Sequence, residues 1–286
     1  MIEDSSIRLD IAVKNKLDNV SRSTANKVIE DGLVKVNSRV VIKPSTKVNI
    51  KDKLQINYQQ DAVKLPKISI PIIYEDNNAI VIDKPVGILT HSKGNFNNEA
   101  SIASWLSPMF NKPTSNRSGI VHRLDRLTSG VMIVVKNDQT ELWLKKQFQN
   151  RRVKKTYLAI IEGRLPNDQA IINLPIERHP KKPQSFRVGR AGKKALTEYR
   201  MIKRTPNYSL IELKPATGRT HQLRVHLAYL GHPIVGDPLY KGKDADRMYL
   251  HAHKLELSLP NKETGEFTSK LPKEFKIFMD HDKSTT

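Results

Sequence analysis

The sequence contains no cysteine among its 286 residues. Disulfides, thiol nucleophiles and cysteine-based zinc sites are therefore excluded, which is consistent with a reducing compartment. The sequence also lacks any apolar run that approaches the roughly 20 residues of a membrane-spanning helix. Its first four residues have neither the basic nor the apolar region of a signal peptide. From these absences we expect a cytoplasmic protein that is not attached to a membrane.

Acidic side chains are scarce relative to basic ones. Asp and Glu together number 29 against 49 Lys and Arg, so the formal net charge is +20. Such a surplus favours a polyanionic partner, of which nucleic acid is the first candidate and an anionic membrane surface the second. A chain of this length can bury a sizeable core, so we expect one large domain with a small appendage.

The N-terminal part of the chain has the pattern of a small unit with helices first and strands after. Residues 7–17 are amphipathic, and Ser21 is placed to cap a second helix that ends near Glu30 and is stopped by Gly32. Alternating or apolar runs then predict a hairpin and a final strand. These predicted strands are residues 33–36, 40–42 and 53–58.

Residues 59–67 include Pro66 and little apolar content, and they predict a linker. We therefore divide the chain into a small domain over residues 1–60, a linker over 61–70 and a larger domain over 71–286. In the larger domain, short apolar runs predict a sheet with inserted helices, so the fold class is α+β. The predicted strands are residues 79–82, 130–135, 157–162 and 209–213, and the predicted helices are residues 102–106, 139–150 and 221–230.

A short segment of the larger domain brings a carboxylate and two guanidinium groups together. Residues 119–130 read GIVHRLDRLTSG, which places Asp125 between Arg123 and Arg126, just before an apolar strand. Nearby opposite charges favour the ionised form of a carboxylate, and an ionised aspartate can attack carbon. An aspartate beside an arginine is most often a surface ion pair, however, so the pairing alone identifies no site.

The whole segment resembles the central motif of the RluA-type pseudouridine synthases, which reads HRLD, two variable residues and TSG. Leu127 stands here where a polar residue is common in that family. The resemblance implies that Asp125 is the nucleophile. It also implies that Arg123 enters the helical stack when the target uridine flips out, which is required because the reacting faces of a stacked nucleotide are inaccessible.

Three further segments resemble motifs of the same family, in the same order along the chain. Residues 81–91 resemble the first motif, which shapes the floor of the catalytic cleft. Residues 155–159 resemble the motif that supplies the active-site tyrosine, here Tyr157. The ring of that tyrosine can stack on the flipped base, and its hydroxyl can take part in proton transfer.

Residues 217–227 resemble the third motif and begin a predicted helix that Thr220 can cap. In the family the second arginine of this motif, here Arg224, forms a salt bridge that holds the catalytic aspartate ionised and oriented. His221 and His226 lie five residues apart, which is not the four-residue spacing that places two metal ligands on one helical face. We therefore expect no metal site here.

Basic residues of the N-terminal unit are candidate RNA contacts. The pattern Arg8-Leu9-Asp10, Ser21-Arg22-Ser23 and Gly32 through Asn37 resembles the small RNA-binding domain shared with ribosomal protein S4, which presents a basic face to RNA. Residues 1–60 hold 11 basic and 7 acidic side chains, so their charge alone is equally consistent with ordinary solvated residues. The resemblance nominates Arg8, Arg22, Ser23, Lys27 and Lys35.

The larger domain adds a basic excursion, punctuated by Pro and Gly, over residues 178–183 and 187–194. Such a composition excludes a regular helix. The segment is either an ordinary solvated loop or a flexible loop that grips RNA at the rim of the cleft, as loops in this region do in the family. The predicted RNA contacts of this domain are Arg178, Lys181, Lys182, Arg219 and His221.

The resemblance covers roughly residues 7–260 and implies two parts. A small S4-like α/β RNA-binding domain precedes a pseudouridine synthase domain built on a mixed, mostly antiparallel sheet with flanking helices and loops. The implied reaction detaches uracil from N1, rotates it and rejoins it through C5, with a transient covalent bond from Asp125 to ribose C1′ or uracil C6. The implied catalytic residues are Asp125, Tyr157 and Arg224, and the reaction needs no cofactor.

Other functions fit the sequence less well. A noncatalytic RNA chaperone or assembly factor predicts loss of the nucleophile or its partner, yet these residues are present. A glycoside hydrolase needs a second suitably spaced carboxylate, and none lies in a comparable motif. The S4-like module and residues 176–180 resemble enzymes that modify large-subunit ribosomal RNA. We therefore expect a monomer acting on 23S ribosomal RNA, with transfer RNA as the alternative substrate.

Overall fold

A computed structural model of the protein describes residues 6–17, 20–58, 66–91, 99–109, 119–260 and 263–284. The elements fall into an N-terminal group and a larger group that follows it. Residues 59–65, which include half of the predicted linker over residues 61–70, lie outside the described residues. The division at residues 60 and 70 therefore stays a prediction.

The N-terminal group consists of two helices and five short strands within the described residues. Ser21 caps the second helix as predicted, because its Oγ accepts a hydrogen bond from the backbone N–H of Thr24 at 3.1 Å. Asn37 and Ser38 have positive φ angles of 49° and 69°, and they form the two-residue turn of the predicted hairpin. The elements are β1 (Ser6–Arg8), α1 (Leu9–Lys16), α2 (Arg22–Glu30), β2 (Val34–Val36), β3 (Arg39–Val40), β4 (Lys47–Asn49) and β5 (Leu54–Ile56).

The two helices pack their apolar faces on the strands and enclose one apolar cluster. Leu9 and Val13 of α1 meet Val28 and Ile29 of α2, and Val34 of β2 completes the contact. β2 lies between β3 and β5, whereas β1 pairs with β4. The start of the first helix was predicted two residues too early, because the chain first extends into β1 and pairs with β4.

The larger group contains eleven strands and four helices among the described residues. They are β6 (Ile72–Glu75), β7 (Ala79–Lys84), α3 (Ile102–Leu106), β8 (Ser129–Val135), α4 (Asp138–Gln149), β9 (Lys154–Glu162), β10 (Gln169–Asn173), β11 (Ile176–Arg178), β12 (Phe186–Val188), β13 (Leu196–Arg204), β14 (Tyr208–Pro215), α5 (Gln222–Tyr229), β15 (Leu250–Ser258), β16 (Thr264–Thr268) and α6 (Lys273–Ser284). None of these described helices is long and apolar enough to cross a membrane.

Nine of the described strands form one sheet, in the order β10-β13-β14-β9-β15-β8-β7-β6, with β16 paired to β15. The sheet is antiparallel apart from the parallel pair of β15 and β8, which confirms the predicted mixed sheet. At that pair the backbones approach closely at Gly130, where a Cβ would lie 2.2 Å from the carbonyl oxygen of Ala252. Glycine is therefore required two residues after Thr128, at the point where the loop bearing Asp125 enters β8.

Two apolar clusters meet at the position of the predicted site. One joins β7 and β8 to α3 and α4, and the other joins β9 and β14 to α5. Tyr157 packs against both clusters, while Leu124 belongs to the first and Leu127 packs on the second. The loop that carries Asp125 is therefore held on both sides by buried side chains.

The third motif begins its helix differently from the prediction. α5 starts at Gln222, and its N-cap is His221 in the left-handed conformation, with φ of 56° and no side-chain cap. The predicted cap by Thr220 is therefore wrong. The side chain of Gln222 organises this turn instead, because its Oε1 accepts hydrogen bonds from Thr217 Oγ1 at 2.7 Å and from the N–H of Arg219 at 3.0 Å.

The basic excursion contains a short hairpin. β11 and β12 pair in antiparallel register, with Ile176 opposite Val188 and Arg178 opposite Phe186. The absence of a helix was predicted correctly for this segment, but the strand pairing was missed. The alternating apolar residues of these strands are Ile176, Phe186 and Val188, and they pack with Val225 of α5. The prolines and charged residues between them hide this pattern in the sequence.

Candidate active site

A cleft of about 500 Å³ opens where three of the predicted motifs converge. The segment before β8 contributes Arg123 and Asp125, β9 contributes Tyr157, and the third motif contributes Arg224. All four residues that were predicted for catalysis and base flipping therefore line one cavity. Arg219 and His221, predicted as RNA contacts, line it as well.

Asp125 is held at one oxygen. Its Oδ2 accepts a hydrogen bond from Nη1 of Arg224 at 3.1 Å, and Nε2 of His221 lies 3.8 Å from the same oxygen. Among the described residues, none donates a hydrogen bond to Oδ1. The carboxylate side chain is 19% exposed, so it faces the cleft. This geometry leaves one oxygen free to form a bond.

Backbone contacts fix the loop on either side of this carboxylate. Thr90 Oγ1 donates to the carbonyl of Leu124 at 2.7 Å and accepts from the N–H of Leu124 at 3.2 Å. The N–H of Thr128 donates to the carbonyl of Asp125 at 3.0 Å. His122 stacks on Phe148 at 4.6 Å, and burial lowers the pKa of His122 to about 3, so its ring is neutral. The position of the loop that bears Asp125 is thus fixed by these contacts.

Lys84 ties the first motif to the same loop. Its side chain is fully buried, and Nζ donates to the carbonyls of Pro85 and Ile88 at 2.8 Å each and to that of Arg126 at 3.3 Å. Burial lowers the pKa of Lys84 to about 7, although the charge of Asp125 acts in the opposite direction. The first motif therefore supports the loop that bears Asp125, while none of its described residues lines the cleft as the resemblance implied.

Arg224 is itself held by a second carboxylate. Its Nε and Nη2 donate to the two oxygens of Asp237 at 2.7 Å and 2.8 Å, a bidentate pair that is almost fully buried. Asp237 also accepts hydrogen bonds from the N–H groups of Leu239 and Tyr240. Burial lowers the pKa of Arg224, but the hydrogen bonds and charge of Asp237 outweigh it, so the net pKa is raised. Arg224 is permanently charged and fixed in orientation.

The arginines adjacent to Asp125 in sequence are not its ion-pair partners among the described residues. Arg126 instead donates to both oxygens of Glu99, at 3.1 Å and 3.2 Å, and to the carbonyl of Gly87 at 3.1 Å. Arg123 is exposed at the edge of the cleft. The expected pairing of Asp125 with these two flanking arginines is therefore not found, and its ion-pair partner is Arg224, which lies 99 residues away along the chain.

Tyr157 presents a neutral phenol to the cleft. Burial raises the pKa of its hydroxyl well above the usual value, and the charge of Asp125 raises it further. At neutral pH the hydroxyl therefore keeps its proton and can donate a hydrogen bond. The ring is partly buried between the two apolar clusters, which fixes its plane beside Asp125.

His221 joins the cleft to the β11–β12 hairpin. Its Nδ1 shares a hydrogen bond of 2.9 Å with the hydroxyl of Tyr240, and that hydroxyl accepts from the N–H of Phe186 at 2.9 Å. The rings of Phe186 and Tyr240 contact the imidazole edge-on. Burial lowers the pKa of His221, while Asp125 acts in the opposite direction. His221 was predicted as an RNA contact, whereas the place of Tyr240 beside it was not predicted from sequence.

The remaining predicted RNA contacts are distributed over both groups of elements. Arg8 and Arg22 both bond to buried Asp10, with Nε atoms at 3.0 Å and 2.8 Å from its oxygens. Arg178 donates to the carbonyl of Pro183 and lies over the ring of Phe186, while Arg219 donates through Nε to the carbonyl of Lys194 at 3.1 Å. Ser23 is exposed and shares a hydrogen bond of 2.8 Å with the hydroxyl of Ser21, and Lys27, Lys35, Lys181 and Lys182 are exposed as well.

Comparison with known proteins identifies the family to which the chain is similar. Residues 78–229 match the family described as RNA pseudouridylate synthase, and residues 7–54 match the S4 domain. The ribosomal large subunit pseudouridine synthase D of Borreliella burgdorferi is 37% identical over 295 residues, covering 97% of this chain and 90% of that protein. The protein of the same name from Haemophilus ducreyi is 34% identical over 292 residues, covering 94% and 88%.

A solved structure supports the same relationship. Human RNA pseudouridylate synthase domain containing 1 has a TM-score of 0.60 at 26% identity, and the match covers 74% of this chain and 86% of that chain. The match in sequence thus extends over both domains, and the match in structure over most of the chain. The chain belongs to the RNA pseudouridylate synthase family and is an isomerase that converts uridine in RNA to pseudouridine.

Proposed function

We propose that this synthase modifies specific uridines of 23S ribosomal RNA and that Asp125 is its covalent nucleophile. The observation that carries the proposal is the pairing of Asp125 with Arg224 at 3.1 Å inside the cleft, with one carboxylate oxygen left unbonded by the described residues. A carboxylate that is oriented by a fixed cation and open on one side is suited to attack carbon. Tyr157 lies in the same cleft, where a uracil ring can stack on it.

The reaction begins with extrusion of the target uridine from its helix. Arg123 is exposed at the edge of the cleft, two residues before Asp125, and we propose that it fills the gap left in the stack. A guanidinium plane can stack on bases and bond to phosphates, which suits this position. The uracil then enters the cleft beside Tyr157.

The covalent step follows one of two routes. In the first, Oδ1 of Asp125 bonds to ribose C1′, the bond from C1′ to N1 breaks, and its electron pair leaves with uracil as the N1 anion. In the second, the carboxylate adds to uracil C6 before that bond breaks. In the first route uracil rotates, C5 bonds to C1′ as the aspartate oxygen departs, and C5 then loses its proton while N1 gains one. In the second route uracil rotates while bound through C6, C5 bonds to C1′, and loss of the C5 proton then expels the aspartate oxygen from C6 while N1 gains a proton. All atoms of the substrate are retained.

The surrounding residues supply electrostatics rather than additional bonds. Arg224 keeps the carboxylate oriented, and its second partner Asp237 prevents it from turning away. Because Tyr157 stays protonated, we propose that its hydroxyl donates a hydrogen bond to the base while the ring stacks on it. No resident cofactor takes part in either route.

The preference for ribosomal RNA has two supports. Two of the relatives are ribosomal large subunit pseudouridine synthases at 34% and 37% identity, and the chain carries an S4 domain. We propose that Arg8, Arg22, Ser23, Lys27 and Lys35 contact RNA through this domain, and that Arg178, Lys181 and Lys182 do so at the rim of the cleft. Binding by these cations should fall steeply with salt. We propose that the protein acts as a monomer.

Mapping of pseudouridines tests this proposal in cells. Chemical mapping of ribosomal and transfer RNA is carried out on cells that lack the protein, complemented with wild type, Asp125→Ala or Asp138→Ala. Asp138 is an exposed residue in the first turn of α4 and serves as the matched control. We expect sites in 23S ribosomal RNA to disappear, and to return with wild type and with the control only. Persistence of every site without the protein, or restoration by Asp125→Ala, would overturn the proposal. Loss of sites in transfer RNA alone would mean that transfer RNA, and not 23S ribosomal RNA, is the substrate.

A further inference from the structure

Lys155 is a cation of the cleft that the proposed mechanism does not use. It lies on β9 two residues before Tyr157, and both side chains line the cleft. Residues i and i+2 of a strand point to the same face and lie roughly 7 Å apart along it. The side chain of Lys155 therefore lies on the wall of the cleft, roughly 7 Å along β9 from the side chain of Tyr157.

This ammonium has no counter-charge among the described residues. Lys155 has neither a hydrogen-bond acceptor nor an ion-pair partner there, although its side chain is partly buried, and burial lowers its pKa. Its neighbour Lys154 differs on each point, because it is exposed and lies 3.8 Å from a carboxylate oxygen of Glu256. Keeping an unpaired charge in a partly dehydrated position costs free energy, which a bound anion would offset.

The lining of the cleft indicates that this anion is not another part of the described chain. The lining contains one carboxylate, Asp125, and Arg224 already holds it. Three further cations line the same cavity, Arg123, Arg151 and Arg219. Charge complementarity therefore requires an anionic ligand, and the anionic group of an RNA substrate is its phosphodiester.

Gly218, in the loop before α5, lies next to the ammonium group of Lys155. A Cβ added to Gly218 would lie 3.8 Å from Nζ of Lys155, so the ammonium faces backbone that bears no side chain. The ammonium and this backbone therefore meet at the wall of the cleft, which both residues line together with Tyr157. A phosphate held there would be bonded by the ammonium and flanked by Arg219.

We propose that Lys155 and the backbone at Gly218 form a phosphate subsite, which binds one of the two phosphates that flank the flipped uridine. The subsite anchors the nucleotide by its backbone, while Tyr157 and Asp125 engage its base and sugar. This inference rests on the proposed function, because it takes the flipped uridine to occupy the cleft.

Neutralising one phosphate at a time tests the subsite. The probe is a short RNA hairpin that carries a uridine found by the mapping experiment, with a methylphosphonate on its 5′ or its 3′ side. A 2′-deoxy sugar precedes the replaced linkage to keep it stable, and each control hairpin has the same sugar with a normal phosphate. The dissociation constant and the single-turnover rate are measured on the full chain.

We expect one of the two methylphosphonates to weaken binding to the wild type about tenfold or more, as loss of a charge-assisted hydrogen bond does. Lys155→Met should weaken binding of the normal hairpin by a similar factor and show no further loss with that methylphosphonate. For this variant, the slope of the log association constant against log salt concentration should be less negative by about 0.7 to 0.9. The matched control Lys154→Met should keep the wild-type sensitivity to the methylphosphonate.

Two variants keep the test decisive if Lys155→Met folds poorly. Lys155→Arg retains a cation and should retain the sensitivity, whereas Gly218→Val places a side chain against the ammonium without removing charge and should abolish it. Equal affinity of Lys155→Met and wild type, or additive losses from the variant and the methylphosphonate, would overturn the subsite. If the wild type forms no pseudouridine even in the normal hairpin, the proposed function fails instead.

Discussion

Two aspartates of this protein stand next to arginines, and they are used in opposite ways. Asp10 in the N-terminal group is buried and accepts three hydrogen bonds, two from Arg8 and one from Arg22, so both of its oxygens are occupied. Asp125 accepts one from Arg224, and its second oxygen is open to the cleft among the described residues. A saturated carboxylate, by which we mean one whose two oxygens both accept hydrogen bonds, supports structure. A half-saturated carboxylate, with one oxygen unbonded, remains available for chemistry.

Asp237 shows the same distinction within the active site. It is fully buried, and its two oxygens are taken by Arg224 and by the backbone N–H groups of Leu239 and Tyr240. Burial and hydrogen-bond count therefore separate the structural carboxylates from the proposed nucleophile more clearly than their neighbours in sequence do.

Replacing the half-saturated carboxylate should give the largest loss of activity. We expect Asp125→Asn to lower the single-turnover rate by more than about a thousandfold, because the amide cannot act as the nucleophile. The folded state should change little, since the side chain makes one ion-pair contact and is partly exposed. Rapid-quench assays of pseudouridine formation and a urea unfolding curve measure the two effects. A large loss of stability together with residual activity would contradict this prediction.

Replacing Asp237 should chiefly affect stability. Asp237→Ala leaves the buried guanidinium of Arg224 without its bidentate partner, which should cost about 3–5 kcal/mol in the free energy of unfolding. Activity should fall as well, because Arg224 is then free to turn away from Asp125. Urea unfolding followed by tryptophan fluorescence measures the first effect, and a loss below about 1 kcal/mol would contradict the structural role.

Acid should act on the saturated carboxylate of the N-terminal group. Hydrogen bonds from Arg8 lower the pKa of Asp10 from 3.8 to about 2 in the folded state, with burial opposing them and Arg22 assisting. A lowered folded pKa contributes stability that is present above pH 4 and is lost as the pH falls from about 4 to about 2. The protection factors of amides in α1, which are corrected for the intrinsic exchange rate at each pH, should fall over this range in wild type. Asp10→Asn should lack that part of the acid response, and identical acid profiles would contradict it.

Removing an adjacent arginine should have the smallest effect. Arg126 bonds to Glu99, and both side chains are about half exposed, so the pair is screened by solvent. We expect Arg126→Ala to change the free energy of unfolding by about 1 kcal/mol or less. Arg224→Ala, by comparison, should abolish most of the activity. Parallel rate measurements on the two variants show whether nearness in space or in sequence selects the partner of Asp125.

Local features of the fold were predictable because local forces determine them. Ser21 as a cap, α2 ending at Glu30 and α3 over Ile102–Leu106 follow from capping and periodicity within a few residues. The apolar run of β8 likewise identifies a strand that is buried on both faces. In each case the interacting groups are close in sequence.

The parts that were missed depend on partners that are distant or unusual. Asp237 lies 13 residues from Arg224, in a turn whose composition does not reveal which cation it binds. The left-handed His221 replaces the predicted Thr220 cap because Gln222 supplies the hydrogen bonds of that turn. The pairing of Asp125 with Arg224 was expected from family resemblance alone, since spacing carries no information across 99 residues.

The central claim is that the open oxygen of Asp125 forms the covalent bond to the substrate. The most direct test uses a hairpin RNA with 5-fluorouridine at the mapped position. Fluorine slows attack of C5 on C1′ in the first route, and in the second route it blocks the loss of the C5 proton that releases Asp125, so the covalent intermediate is retained. Peptide mass spectrometry then locates the nucleotide adduct on the enzyme. We predict a linkage on the peptide that contains Asp125, and no adduct with Asp125→Asn. An adduct on any other residue, or one that persists in Asp125→Asn, would contradict the account.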